Sequence, residues 1–207
     1  MKMLDDFYRK LERQKNTLTV FNPYRNPYNL ENLKCYIEQV FSASGPRIML
    51  VGEAPGYKGG RLTGVPFSSG KLYSEVDHPF LEALRTKLIL DPDTLTSENT
   101  ASVVWRYLQN KQQVPLFWNA FPFHPHPSRI QKKNRGPNRA EIKEGAYYLQ
   151  VLVEAYKPDV IAGLGRAGTA CAQSVLPDED IQYIRHPSYG GKADFIAGMD
   201  KIFRPSR

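Results

Sequence analysis

Cysteine is scarce in this chain, since only two of its 207 residues, Cys35 and Cys171, are cysteines. Two thiolates cannot complete a four-cysteine zinc or iron–sulfur site, so neither centre is expected. Structural disulfides are unusual in the cytosol, and we expect both cysteines to be unpaired thiols. The sequence therefore predicts a protein that uses no metal or other cofactor.

Long apolar stretches are missing as well. No run approaches the roughly 20 residues that a membrane-spanning helix requires. Residues 1–6 include two acids and lack the apolar segment of a signal peptide. We therefore expect a cytoplasmic protein with no membrane partner. Repeats are lacking too, so residues 1–207 are predicted to form one domain, with residues 1–44 as a helical amino-terminal extension packed on it.

Acidic residues are outnumbered by basic ones. Lys and Arg total 28 against 21 for Asp and Glu, which gives a net charge of +7. This excess favours a polyanionic partner such as DNA or RNA, although many basic proteins bind neither. An apolar share of 41% and an aromatic share of 12% are typical of a globular chain with a core.

Short apolar runs alternate with helical periodicity along the chain. The runs predict buried strands at residues 47–51, 114–118, 159–164 and 181–185. The periodicity predicts helices at residues 4–15, 30–42, 78–90, 97–109, 138–157 and 166–176, and a final helical turn in the tail from Phe195. Asn29 and Ser97 are the expected caps of the second and fourth helices. The alternation predicts an α/β fold, a three-layer α/β/α sandwich around a central, mainly parallel four-stranded sheet.

Polar, sharply bent loops follow the first and the last predicted strand. Residues 52–56, Gly-Glu-Ala-Pro-Gly, form the GEAPG loop after the first strand. Residues 186–191, which begin His-Pro-Ser, form the HPS loop after the last. Ligands of an open parallel sheet bind in the crevice at the carboxyl ends of its strands. Both loops are therefore expected to face one pocket.

Two other motifs are typical of cofactor sites, and we interpret both as structural. Residues 163–168 match GxGxxG between a predicted strand and helix, and Arg185 would then read an NADP 2′-phosphate. Only about 20 residues follow Arg185, too few for the further units of a dinucleotide fold. We expect these glycines to permit a tight turn and close packing. His124 and His126 lack nearby Cys or carboxylate partners, so we place them at the pocket rim and predict no metal site.

The order of motifs between residues 45 and 192 resembles that of the uracil-DNA glycosylase superfamily, and most closely its families 4 and 5. After the GEAPG loop, residues 61–67 read Arg-Leu-Thr-Gly-Val-Pro-Phe, one residue longer than the R-T-G-R-P-F form of those families. Asn138-Arg139, Glu141-Ile142, Tyr148-Leu149, Lys157-Pro158 and residues 160–165 then follow in the family order, and the HPS loop closes the series.

One departure from family 4 concerns its iron–sulfur cluster. Family 4 enzymes hold the cluster with four cysteines, and one of those ligand positions falls on Gly145 here. The resemblance therefore implies a uracil-DNA glycosylase-like fold without a cluster.

The resemblance also implies how a base would be held. A glycosylase flips the base out of the DNA stack, reads its Watson–Crick edge and stabilises the negative charge of the leaving base. Phe67 is the implied stacking platform, and Asn119 the reader of N3–H and O4 of uracil. The implied base-binding residues are Gly52, Ala54, Pro55, Gly56, Phe67 and Asn119.

Glu53 and His186 are the implied catalytic residues. His186 would donate a hydrogen bond to O2 of the leaving uracil. Glu53 lies where families 4 and 5 have their water-handling residue, whereas the classical enzyme has an aspartate at the next position, Ala54 here. Two roles remain open for Glu53: orienting the attacking water, or hydrogen-bonding loop amides.

DNA contacts are expected from two segments. Ser188 and Lys192 would meet phosphates, and Tyr189 would wedge into the gap left by the base, unless it is simply a surface tyrosine. The basic loop, residues 128–139, carries five basic residues and no acid. It is expected either to contact the DNA backbone or to be an ordinary solvated face. The predicted contacts within this loop are Arg129, Lys132, Lys133 and Arg135.

The sequence thus predicts a monomeric, monofunctional DNA glycosylase that removes uracil in base-excision repair. No lysine is placed to form a Schiff base, so lyase activity is not expected. Two alternatives stay open: a glycosylase for hypoxanthine or xanthine, and a catalytically weak DNA-binding protein that senses bases.

Overall fold

Four parallel strands form the central sheet of this computed structural model, which describes residues 2–204. Two further short strands lie outside it. Within residues 2–204 the strands in chain order are β1 (Val20–Phe21), β2 (Ile48–Gly52), β3 (Leu116–Asn119), β4 (His124–Pro125), β5 (Val160–Leu164) and β6 (Ile181–Ile184). The central sheet has the order β3-β2-β5-β6, which confirms the predicted architecture. β1 and β4 form a separate antiparallel pair that was not predicted, because two-residue strands carry no alternating pattern.

Helices flank this sheet. They are α1 (Lys2–Arg13), α2 (Pro27–Phe41), α3 (Gly60–Thr63), α4 (Leu72–Glu75), α5 (Pro79–Arg85), α6 (Asn99–Leu108), α7 (Arg139–Tyr156), α8 (Gly165–Val175) and α9 (Lys192–Ile202). The amino-terminal segment contributes to the core, since Phe7 of α1 is fully buried. Its ring centroid lies 5.5 Å from that of Trp118 and 5.9 Å from that of Tyr148.

The caps of two helices differ from the prediction. α2 starts at Pro27, because the side chain of Asn26 accepts a hydrogen bond from the backbone of Tyr28. The predicted cap, Asn29, is buried inside the helix and donates to the carbonyl of Pro23. α6 is capped by the neighbour of the predicted residue, since Glu98 accepts from two backbone amides of the first turn.

α5 is shorter than predicted and α9 is longer. The apolar pattern continues beyond Arg85, but the side chain of Asn32 accepts a hydrogen bond from the N–H of Ile89 and donates one to its carbonyl. These bonds hold the segment outside a helix. The tail forms an eleven-residue helix where only one turn was predicted. Over residues 2–204, no helix combines the length and the apolar character needed to cross a membrane.

The sheet topology places a crevice beside β2. The chain passes from β2 to β3 on one side, whereas β5 lies on the other side of β2. Connections that diverge in this way leave a crevice at the carboxyl ends of the strands. In the register of β2 and β3, Gly52 lies opposite Asn119 at this end, so two predicted base-binding residues are neighbours.

Candidate active site

A cleft of about 670 Å³ opens at the carboxyl ends of the central strands. The final residues of β2, β3 and β5 and the loop after β6 border it. Its lining includes every residue that was predicted to bind the base or to act in catalysis: Gly52, Glu53, Ala54, Pro55, Gly56, Phe67, Asn119 and His186. Of the predicted DNA contacts, Ser188 and Arg135 also line it.

The ring of Phe67 and the side-chain amide of Asn119 both lie against the backbone of Gly52. A Cβ atom at this position would lie 2.6 Å from Oδ1 of Asn119 and 2.7 Å from Cζ of Phe67. Real side chains do not approach so closely, so only glycine allows both groups to reach this end of the cleft.

Phe67 is held in an uncommon backbone conformation. Its φ of +52° lies in the left-handed region, which costs a non-glycine residue roughly 1–2 kcal/mol. Two contacts hold it there: Nε1 of Trp105 donates to the Phe67 carbonyl at 3.0 Å, and the Phe67 ring stacks on Phe117 at 5.1 Å. The ring therefore has a fixed position on the wall of the cleft.

Asn119 brings a buried amide to the cleft. Its exposed fraction is 6%, and its side chain makes no hydrogen bond to any of residues 2–204. Its amide atoms are not among the fully buried ones and face the cleft, so they are open to a partner from outside the chain. The amide offers an acceptor, Oδ1, and a pair of donors on Nδ2.

His186 is arranged as a neutral hydrogen-bond donor. Its Nδ1 accepts from the backbone N–H of Ser188 at 3.2 Å, so the neutral ring carries its proton on Nε2. Burial, together with the nearby charge of Arg185, lowers the pKa of His186 below its ordinary value, although Glu98 opposes this effect. The ring is therefore uncharged at neutral pH and keeps one N–H for a ligand.

Glu53 is a half-buried carboxyl group that lines the cleft. Burial raises the pKa of Glu53, and its side chain forms no hydrogen bond within the part of the chain that the structure describes. Gly136 faces it closely, since a Cβ atom there would lie 3.0 Å from Oε1 of Glu53. Within residues 2–204, the carboxylate of Glu53 therefore makes no bond to loop amides and is open to the cleft.

We expect Glu53→Gln to raise the free energy of unfolding at neutral pH. A carboxyl whose folded-state pKa is raised supports folding fully only below its unfolded pKa of about 4.3, and that support is lost as the pH rises through the folded value. Denaturant unfolding of wild type and variant should therefore coincide near pH 4 and diverge towards pH 7. A difference that is constant from pH 4 to pH 8 would contradict this reasoning.

Several side chains in the cleft were not predicted from the sequence, and Glu98 and Asn134 are two of them. Glu98 caps α6, and its Cγ approaches the GEAPG loop, 3.9 Å from the place of a Cβ atom on Gly56. Nδ2 of Asn134 lies 3.7 Å from the same place, and Oδ1 of Asn134 accepts from the backbone N–H of Tyr57 at 2.9 Å. The capping preference pointed to Ser97 and not to Glu98, and the contact of Asn134 spans 77 residues and leaves no local signal.

The GxGxxG turn is shaped by packing. A Cβ atom on Gly163 would lie 2.3 Å from Cα of Thr169, and one on Gly168 would lie 2.9 Å from the carbonyl oxygen of Val51. Close approach of backbones explains these glycines without a dinucleotide. The first turn of α8, residues 165–168, also lines the cleft, a position that was not predicted.

Arg135 holds the basic loop to the rest of the protein. Its guanidinium donates to both carboxylate oxygens of Glu141 at 2.6 and 2.7 Å. It also donates to the carbonyls of Thr19, His126 and Gly136. These bonds use its five N–H groups, so none is left for a phosphate. The predicted DNA contact of Arg135 is therefore replaced by a structural role.

The other predicted DNA contacts are exposed and lie outside the lining of the cleft. They are Arg129, Lys132, Lys133, Tyr189 and Lys192. Tyr189 is fully exposed, and its φ of +52° in the HPS loop projects it from the surface. Gly190 follows with open space around it, so the tip of the loop has room to move.

His124 joins two loops at the edge of the cleft. One ring nitrogen lies 2.9 Å from the carbonyl oxygen of Pro55 and the other 2.9 Å from that of Gln131. The ring of His126 stacks on it at 5.7 Å. Within residues 2–204, no group of three or more His, Cys, Asp and Glu side chains is arranged to hold a metal ion.

Comparison with known proteins places this geometry in a family. A family model described as the uracil DNA glycosylase superfamily matches residues 39–196. The crystal structure of wild-type Pedobacter heparinus SMUG2 is similar, with a TM-score of 0.62 and 14% sequence identity over 97% of each chain. At that identity the likeness concerns the fold. No curated protein matches the chain.

Proposed function

The chain belongs to the uracil DNA glycosylase superfamily, and on that premise we propose that it removes uracil from DNA by direct attack of water. It is a DNA glycosylase, a hydrolase of N-glycosyl bonds that acts on DNA in repair. The choice of uracil and the mechanism are inferred from the geometry of the cleft.

The convergence of Phe67 and Asn119 at Gly52 supports the assignment of a base pocket. The ring provides a flat surface on which a flipped base can stack. Oδ1 of Asn119 can accept from N3–H of uracil while Nδ2 donates to O4. No bulkier residue fits at Gly52, so the base can lie against both groups at once.

His186 is proposed to stabilise uracil as a leaving group. When the C1′–N1 bond breaks, its electron pair moves to uracil and negative charge develops on O2. The Nε2 proton of His186 would hydrogen-bond that oxygen, because Nδ1 is already engaged by Ser188. A positioned donor of this kind lowers a barrier by about 3–4 kcal/mol.

Glu53 is proposed to assist the attack of water on C1′ of the sugar. An oxocarbenium-like sugar needs a water molecule at C1′, and a carboxylate can orient that water and accept its proton as the new C1′–O bond forms. The products are free uracil, which takes up a proton, and an abasic site. The half-buried carboxyl of Glu53, free of hydrogen bonds within residues 2–204, supports this role.

The DNA strand is proposed to cross the rim of the cleft. Ser188 lies at this rim and would meet a phosphate beside the flipped nucleotide. Tyr189 would enter the space that the base vacates, and Lys192 would meet the backbone beyond it. Lys132 and Lys133 of the basic loop are exposed and free to contact phosphates.

The test is excision from oligonucleotides that contain a single uracil, hypoxanthine or xanthine, in single strands and opposite guanine. Alkaline cleavage of the abasic product should appear for uracil. Cleavage only at hypoxanthine or xanthine would show that the protein is a glycosylase whose substrate is a purine and not uracil. DNA binding without cleavage of any substrate would contradict the proposal and favour a base sensor.

A second prediction concerns the basic loop. The double variant Lys132→Ala/Lys133→Ala should make the slope of log affinity against log salt concentration less negative, by up to about 0.9 for each lost phosphate contact with duplex DNA. Arg135→Met should leave this slope unchanged. It should lower the thermal unfolding midpoint, because it breaks the ion pair with Glu141. Lys157→Gly is a control, since Lys157 is exposed, has the positive φ that glycine readily adopts and lies before the amino end of β5, away from the cleft, so it should not alter the salt slope.

A further inference from the structure

Asn134 connects the basic loop to the segment that carries Glu53. Its Oδ1 accepts from the backbone N–H of Tyr57, directly after the GEAPG loop, at 2.9 Å. Its Nδ2 lies 3.7 Å from the place where a Cβ atom on Gly56 would be. Two residues later, Gly136 faces Oε1 of Glu53. One short stretch of the basic loop thus touches both ends of the loop that holds the carboxylate.

The basic loop does not depend on Asn134 for its own structure. Arg135 binds Glu141, and Asn138 and Glu141 form a reciprocal capping box at the start of α7. His124 contacts the carbonyl of Gln131 within the same loop. The start of the GEAPG segment is held too, because the N–H groups of Ala120 and Phe121 donate to the carbonyls of Gly52 and Glu53. The hydrogen bond from Tyr57 to Asn134 therefore ties the other end of the segment to an anchored loop.

We infer that Asn134 is a positioning residue that holds Glu53 in place through the backbone of the GEAPG segment. The inference rests on the proposed function, in which Glu53 handles the attacking water. Displacement of a reacting group by about 1 Å can cost roughly 100-fold in rate. A loop that is released at Tyr57 but still tied elsewhere should lose less, about tenfold in kcat. Substrate binding should change little, because Asn119 and Phe67 are untouched.

Three variants test this inference. Asn134→Ala removes the acceptor, and Asn134→Asp keeps an oxygen for Tyr57 N–H while adding a negative charge to the cleft that Glu53 also lines. Asn110→Ala is the matched control, since Asn110 is an exposed asparagine just after α6 and outside the cleft. The measurements are kcat and KM for a uracil oligonucleotide across pH, and hydrogen exchange of the Tyr57 amide.

Asn134→Ala should lower kcat about tenfold, leave KM within about twofold and speed exchange of the Tyr57 amide. Asn134→Asp should keep that amide protected and recover most of kcat at high pH. Its added charge opposes ionisation of Glu53, so the acid limb of its pH–rate profile should move to higher pH. Asn110→Ala should match wild type in every measurement.

Unchanged protection of the Tyr57 amide in Asn134→Ala would overturn the inference, and so would an effect on KM alone. Wild-type protein that excises no base would contradict the proposed function instead. The exchange measurement needs no turnover, so it would still decide whether Asn134 fixes the segment.

Discussion

Replacement of His186 by phenylalanine is expected to lower kcat for uracil excision by about 10²- to 10³-fold, the range for loss of one donor to a developing anion. The variant keeps a flat ring of similar size and removes the Nε2 proton. His186→Gln retains an N–H donor on a side chain of similar reach, so it should recover part of the rate. Single-turnover kinetics measure this directly, because product release then does not mask the chemical step.

The effect should fall on the chemical step and not on binding. Negative charge on O2 is largest in the transition state, so affinity for DNA that contains a non-hydrolysable uracil nucleotide should change less than kcat. Equal losses in affinity and in kcat would indicate a binding role for His186. A loss below tenfold in His186→Phe, with folding unchanged, would remove His186 from the mechanism.

Strand ends were the most predictable part of the site. Apolar runs such as residues 47–51 mark buried parallel strands, and the topology of an open sheet then brings their carboxyl ends together. Gly52 and Asn119 are neighbours for this reason, and the order of motifs supplied the expected roles of the loops. The confirmed fold followed from patterns that are local in the sequence.

Contacts between distant segments could not be predicted in this way. The bond between Asn134 and Tyr57 depends on how two long loops meet, and neither residue belongs to a periodic pattern. Arg135 looks like a surface cation in the sequence, yet its partners include Thr19, 116 residues away. Trp105 is another example, since a helix pattern predicts its burial but not its hydrogen bond to the carbonyl of Phe67.

Replacement of Asn119 by leucine is expected to lower kcat/KM for uracil by about 10⁴-fold and to narrow the preference for uracil over cytosine. A site built to hydrogen-bond its substrate discriminates by about 10⁴–10⁵, because a mismatched base leaves buried polar groups unpaired. Cytosine lacks N3–H and presents an amino group where uracil has O4. Both effects are measured by excision from two oligonucleotides of the same sequence, one containing uracil and the other cytosine at the target position. If the ratio of kcat/KM for uracil to kcat/KM for cytosine equals that of wild type, the role of Asn119 is contradicted.

The same variant should be no less stable than wild type, and this separates a functional amide from a structural one. The Asn119 amide faces the cleft and makes no hydrogen bond to any of residues 2–204, so its replacement by an apolar side chain of similar volume breaks no bond within this part of the chain. Asn22 is the matched control: it is equally buried, but it donates to the carbonyls of Leu11 and Gln14. Asn22→Leu should therefore lower the free energy of unfolding. A loss of stability in Asn22→Leu without one in Asn119→Leu, measured by denaturant unfolding, would mean that the Asn119 amide serves a ligand and not the fold.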